Sequence, residues 1–104
     1  MKEVILHPEA LLELIESGEK YTDISTSLGD AFAEKVEENL EFIHRFPEAF
    51  PFFEEEDNVR KCVILRFPYT ILYEEMNSII YVWAVAPQRD DPDYWKGRLK
   101  ARRE

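Results

Sequence analysis

Arg60, Lys61, Arg66, Tyr69, Tyr73, Arg89, Tyr94 and Trp95, all in the second half of this 104-residue chain, are the residues whose types could do chemistry together. Guanidinium groups neutralise phosphate, aromatic faces stack on bases, and a tyrosine can relay a proton in phosphodiester cleavage. Side chains alternate along a strand, so Arg60, Cys62, Ile64 and Arg66 would share one face and Lys61, Val63 and Leu65 the other. Arg60 and Arg66 would then flank a common surface. Tyr69, Ile71 and Tyr73 would share a face in the same way. The competing reading is that the arginines pair with the abundant carboxylates and the tyrosines pack a core. Trp95 would anchor a terminal segment.

Other chemistry is absent from the sequence. The three glycines are isolated, so there is no phosphate-cradling loop. There is no His-Glu-x-x-His pair, and no serine lies in a nucleophile elbow. Cys62 is the single cysteine, which rules out an intramolecular disulfide and a cysteine-built zinc site. In its strand context it reads as a small packed side chain, with His7 and His44 far away in sequence. The acidic run Glu54 to Asp57 reads as a surface turn; consecutive acids point to alternate sides and converge poorly on one ion. No cofactor and no metal is expected.

The net charge of −9 is unevenly spread. Residues 1–58 carry 4 basic and 16 acidic side chains, and residues 59–104 carry 9 basic and 6 acidic. The overall field repels nucleic acid, so any such contact must be local to the second half. The length suits a single domain spanning 1–104. No apolar run approaches the roughly 20 residues of a membrane span, and the N-terminus lacks a signal-peptide pattern, so no membrane partner and a cytoplasmic location are expected.

The elements that must position these residues can be read in order. Residues 2–7 form a strand that stops at Pro8, which suits the first turn of a helix with Glu9 at its positive end. The first helix has Leu11, Leu14, Ile15, Gly18 and Tyr21 along one stripe, with Gly18 placed for a close backbone approach or an early end. Ser25-Thr26-Ser27 breaks and caps. Leu28, Phe32, Val36, Leu40 and Ile43 define a second helix ending near Phe46-Pro47, with Gly29 in its first turn at little cost. The two helices form an antiparallel hairpin. Phe46, Phe50, Phe52 and Phe53, interleaved with prolines, pin a loop onto the core. Three strands follow at 59–66, 69–75 and 79–86. In the last, Ile80, Val82, Ala84 and Ala86 alternate with Ile79, Tyr81, Trp83 and Val85, which leaves a second sheet face for a partner or substrate. Asp91-Pro92-Asp93 starts a short C-terminal helix. The fold class is α+β: strand, helical hairpin, three-stranded antiparallel meander and short C-terminal helix.

The order of these motifs resembles the RelE/ParE toxin superfamily of toxin–antitoxin modules, including proteins labelled plasmid stabilisation. The resemblance rests on Val59-Arg60, Arg66-Phe67-Pro68-Tyr69, Ile71-Leu72-Tyr73, Val82-Trp83-Ala84-Val85-Ala86 and Asp91-Pro92-Asp93-Tyr94-Trp95. It extends to Pro8-Glu9-Ala10, Leu28-Gly29 with Phe32, and Phe46-Pro47. It implies the toxin of a type II module, neutralised by a cognate antitoxin, with a homodimer among the assemblies open to it. RelE-like members cleave messenger RNA on the ribosome without a metal, and ParE-like members inhibit DNA gyrase. The alternative is a non-catalytic interaction module without toxicity. For a metal-independent endoribonuclease, the residues implied are Arg60, Arg66, Arg89 and Tyr94. Related sequences carry a histidine and two arginines after the Ala-Val-Ala strand. Here the segment reads Pro87-Gln88-Arg89-Asp90, and proline has no proton to give or take.

Overall fold

The computed structural model describes residues 3–54 and 57–103. Glu55 and Glu56, in the middle of the acidic run, and Lys2, at the start of the expected first strand, lie outside the described residues. The elements are β1 (Glu3–Leu6), α1 (Pro8–Ile24), α2 (Thr26–Arg45), β2 (Phe52–Glu54), β3 (Val59–Val63), β4 (Tyr69–Glu75), β5 (Ile79–Pro87) and a C-terminal 3-10 helix (Lys96–Arg103). One five-stranded sheet runs in the order β1-β5-β4-β3-β2. β1 pairs with β5 in parallel, and every other neighbour is antiparallel.

Local chemistry fixes the helix ends. Pro8 opens α1, and the His7 ring accepts at Nδ1 from the Glu9 N–H at 3.1 Å. Ser25 serves both helices at once. Its N–H donates to the Tyr21 carbonyl at 3.0 Å, and its hydroxyl accepts from Leu28 N–H at 3.0 Å. An extended backbone at Ser25 (φ −163°, ψ 147°) reverses the chain within one residue. α2 stops at Phe46, because the residue before Pro47 is pushed out of helical dihedrals.

The two helices cover one sheet face. Phe32, Val36 and Ile43 of α2 and Ala10 of α1 pack against Cys62, Ile71, Tyr73, Ile80, Val82 and Val85. Phe67, at the β3–β4 turn, enters the same core, its ring 5.2 Å from Phe32 and 5.1 Å from Tyr21. The α1 stripe is rotated from the expected one. Ala10 and Ser17 are buried, while Leu11 and Ile15 are half exposed.

Three further expectations are corrected. The phenylalanine-rich loop contains a short strand, β2, paired with β3; the three residues after Pro51 are too few to show a period. β3 ends at Val63, before Arg66, whose φ of 77° turns the chain into the left-handed region. Arg66 therefore does not share a strand face with Arg60. In β5 the alternation breaks. Leu72 pairs with Ala84 but Tyr73 pairs with Val82, which leaves Trp83 as an extra residue in a bulge. Val82 and Val85 consequently both face the helices, while Trp83, Ala84 and Ala86 face the other way.

The second sheet face is not open for a substrate. Trp95 and Leu99 from the C-terminal segment cover Val59, Leu72, Trp83 and Ala84. Trp95 is fully enclosed, donates its indole N–H to the Pro92 carbonyl at 2.8 Å and meets Phe53 edge-on. Asp91 accepts from the Asp93 N–H, but residues 92–95 form a turn and the helix begins only at Lys96.

The glycines have exchanged roles. Added to Gly29, a Cβ would lie 3.0 Å from the Thr22 Cα, whereas at Gly18 it would meet nothing within 4 Å. Close approach of the helices is thus at Gly29, and α1 continues past Gly18 without a break. Gly18→Ala should raise stability by roughly 0.5–1 kcal/mol, from lower unfolded-state entropy and better helix propensity. Urea denaturation checks this, read as a higher midpoint at constant slope.

Candidate functional site

The four residues implied as a nuclease site do not form one cluster. Arg60 lies in β3 opposite Tyr73. Its guanidinium donates to the Phe50 carbonyl at 2.7 Å and the Glu48 carbonyl at 3.3 Å, and stacks 4.0 Å above the Phe52 ring. Those contacts tie down the loop that follows α2. Tyr73 beside it donates its hydroxyl to the Pro47 carbonyl at 2.7 Å, and burial pushes its pKa well up. Arg60 and Tyr73 therefore build the fold at one end of the sheet.

Arg66 and Arg89 lie at the opposite end. Gln88 N–H donates to the Pro68 carbonyl at 2.9 Å, and the Gln88 side chain donates to the Tyr69 carbonyl at 3.3 Å. These bonds lock the exit of β5 onto the β3–β4 turn. Both arginines are exposed there. Two residues beyond Phe67, Tyr69 is buried against Phe32 and Tyr21 and serves the core. Lys61 is exposed on the sheet face opposite α2.

Tyr94 joins a different group. Its hydroxyl donates to Glu13 Oε2, and burial together with that bond drives its pKa up, away from any role as a base at neutral pH. Glu13 also receives Arg98, with Nη2 to Oε2 at 2.8 Å and Nη1 to Oε1 at 3.0 Å. Arg98 further contacts Glu9, at 3.3 Å, and its side chain is only 10% exposed. This group sits where β1 gives way to α1. β5 runs on without that neighbour, and the bulge at Trp83 opens its ladder. Glu13 accepts from the Val85 N–H at 3.0 Å, and Arg98 donates to the Trp83 carbonyl at 2.9 Å. Two side chains thus satisfy backbone groups that a strand would otherwise pair.

Sequence reading missed Glu13 and Arg98. Glu13 lies one position from Leu14 in an acid-rich helix, and Arg98 in a basic tail. Only the spacing of a core-facing acid among Ala10, Leu14 and Ser17 could have marked it.

His7 borders the group, its ring 5.9 Å from Trp83. Burial and then the Arg98 charge lower its pKa below 6.5, against the opposing pull of Glu9 and Glu13. The sign follows. Above 6.5 the ring is neutral in both states and the fold keeps its full stability. As pH falls below 6.5 the unfolded chain takes the proton first, and stability is lost until the folded-state value is passed. Wild type should lose more stability than His7→Gln between pH 7.5 and 5, measured by urea denaturation at each pH.

Cys62 is fully buried, with its thiol directed to Asn39 Oδ1 at 3.4 Å and its pKa pushed up to about 11. It is a packed side chain and no nucleophile. Among the described residues no group of three or more His, Cys, Asp or Glu is placed to hold a metal ion. No helix among them is long and apolar enough to cross a membrane.

A feature that periodicity did not reveal is a groove of about 1210 Å³ along the helical hairpin. α1 and α2 form its sides, and Val4 and Leu6 of β1 contribute to it.

The family model for the ParE toxin of the type II toxin–antitoxin system parDE matches residues 4–92. That span takes in β1 through β5 and both helices. The chain belongs to the ParE toxin family. A structure of the chromosomal ParDE TA system from P. aeruginosa shares the fold, with a TM-score of 0.61 at 13% identity over 84% of this chain and 96% of that one. No curated protein matches the sequence. The resemblance read from the motifs is therefore borne out at the level of superfamily and fold, and this ParE-family chain is a type II toxin by kinship. The family match runs through Pro87 and ends at Pro92, so Trp95, Leu99 and Arg98 lie beyond it.

Proposed function

We propose that this toxin arrests its target by binding, with DNA gyrase as the target, and that a partner antitoxin neutralises it. The observation that carries the reading is what became of the nuclease candidates. Arg60 is consumed by loop carbonyls and Tyr94 by Glu13. Pro87 occupies the last position of β5, paired with Tyr69, where an acid or base would be needed. That leaves Arg66 and Arg89 as exposed cations with no proton-transfer partner among the four. Two arginines near Pro68 suit a binding surface for an acidic patch on a protein target better than a hydrolytic centre.

Induced expression in a bacterial host should stop growth, and the purified protein should inhibit supercoiling by gyrase while leaving ribosome-bound messenger RNA intact. Cleaved message with unimpaired gyrase would overturn the binding mode. Normal growth with soluble, folded protein would overturn toxicity itself. Arg66→Ala and Arg89→Ala should each raise the concentration needed for half-inhibition of supercoiling by roughly three- to tenfold, the scale of one interfacial charge. Thermal melting should be unchanged, because neither side chain is buried.

A further inference from the structure

The β3–β4 turn holds two residues in the open between two in the core. Ile64 and Phe67 are buried, while Leu65 between them is 67% exposed. The Ile64 N–H donates to the Tyr69 carbonyl at 2.9 Å and the Tyr69 N–H to the Phe67 carbonyl at 2.8 Å. The Gln88 bonds to Pro68 and Tyr69 clamp the turn from the side of β5. Leu65 and Arg66 thus stand on a fixed support, with little backbone ordering left to lose on binding. Val63 extends the apolar surface. It alternates with Val59 on the sheet face that Trp95 and Leu99 cover, yet it is 48% exposed where Val59 is fully buried.

Arg66 is the wrong residue for its own backbone. Among the described residues, Asn58 and Arg66 are the non-glycines with positive φ. Asparagine enters that region readily, whereas an arginine at φ 77° carries steric strain that a glycine would not. Such strain persists where the side chain is needed. Lys61, Arg66 and Arg89 are exposed and enter none of the described ion pairs, although the chain has 22 acids to 13 bases. Asp90, next to Arg89, enters none either. Lys35, Arg45, Lys96 and Arg98, by contrast, each meet a carboxylate. The neighbours of the three cations decide the class of partner. Bases of a nucleic acid stack on exposed aromatic rings, but the rings at this turn, Phe67 and Tyr69, are buried. Leu65 and Val63 offer aliphatic surface instead, which gains by burial in an apolar recess of a protein. The net charge of −9 also repels nucleic acid.

We propose that the β3–β4 turn is the point of contact with the toxin's protein target. Leu65 and Val63 enter an apolar recess, and Lys61, Arg66 and Arg89 meet carboxylates around it. This deepens the binding reading above by assigning the anchor beside the two arginines, and it rests on that reading for gyrase as the target.

Surface plasmon resonance between the immobilised intact toxin and purified DNA gyrase tests it. Leu65→Ala should weaken binding roughly tenfold. Ile24→Ala, at an equally exposed leucine-sized side chain at the end of α1, should stay within twofold. Arg66→Gly should weaken binding roughly three- to tenfold while raising the urea midpoint, because it removes the charge and the strain together. Gyrase binding unchanged in Leu65→Ala, or weakened as much by Ile24→Ala, would overturn the proposal. So would an Arg66→Gly protein that binds as tightly as wild type. A single-stranded RNA probe of mixed sequence, bound through Arg66 but indifferent to Leu65→Ala, would overturn it in favour of nucleic acid. Growth arrest separates the turn from the choice of target, with Leu65→Asp and Ile24→Asp each checked as folded by circular dichroism. If wild type arrests growth without binding gyrase, arrest lost in Leu65→Asp and kept in Ile24→Asp would leave the turn standing and sink gyrase. Arrest kept in both would sink the turn as well. A wild type that neither arrests growth nor binds gyrase would also sink both.

Discussion

Arg98→Met should cost the fold about 3 kcal/mol, one of the two largest effects expected of a single substitution here. Methionine keeps most of the side-chain volume and removes the charge. What remains is Glu13, its side chain 20% exposed, still accepting from Val85 N–H and Tyr94 but stripped of its cation. The Trp83 carbonyl loses its bond from Arg98 at the same time. Losing one partner of a largely buried pair costs roughly 3–5 kcal/mol, and residual solvent access places this pair at the lower end. Glu13→Ala should cost a similar amount, because it takes the bidentate carboxylate from Arg98, leaving it Glu9 and the Trp83 carbonyl, and orphans the Val85 N–H. The double variant should fall well short of additive, with a coupling of at least ~1 kcal/mol. Chemical denaturation of the four proteins completes the cycle. Additive losses would show that Glu13 and Arg98 serve β5 independently rather than as one unit.

The second large effect is at Gly29. Gly29→Ala puts a methyl group 2.0 Å from Thr22 Oγ1 and 3.0 Å from the Thr22 Cα. The hydroxyl can rotate away, but the backbone cannot, so the helices must part at their tight joint. Overpacking of this kind costs typically 1–3 kcal/mol, and a backbone clash beside a single-residue turn belongs at the top of that range. Adding Thr22→Ala should recover part of the loss, because it removes Oγ1 while leaving Cα and Cβ in place. Thermal melting of the single and double variants reads this out. Full recovery would mean that the hydroxyl alone made the contact.

These residues also mark the boundary of what sequence can reveal. Proline and capping chemistry are local, so Pro8, Ser25 and Pro47 announced both helices almost to the residue. Gly18 and Gly29 both fall near an apolar stripe, and only the crossing point of the helices decides which one must lack a side chain. The three-strand pattern was legible because β-branched residues alternate over most of β4 and β5. The bulge at Trp83 was not, since it depends on how β4 is paired and both faces of β5 are apolar. The site fared worse for the same reason. Arg60 carries the right chemistry for phosphate, but the carbonyls that claim it come from a loop ten and twelve residues earlier. Glu13 and Arg98 are 85 residues apart, and no local pattern links them.

The parallel pairing of β1 with β5 has a consequence for when the protein comes into being. Glu3 and Leu6 find their partners, Ile79 and Val82, only after nearly the whole chain has been made. The pair that closes the exposed edge of β5 adds the requirement of Arg98. Translation delivers the N-terminal half first, so the two helices emerge before the sheet they rest on is complete. Contacts this distant in sequence also slow the search for the native state. During that interval the acid-rich helices are available to a partner while Arg66 and Arg89 are not yet set in place. The order of synthesis itself therefore holds the exposed arginines out of their final placement until β4 and β5 have paired.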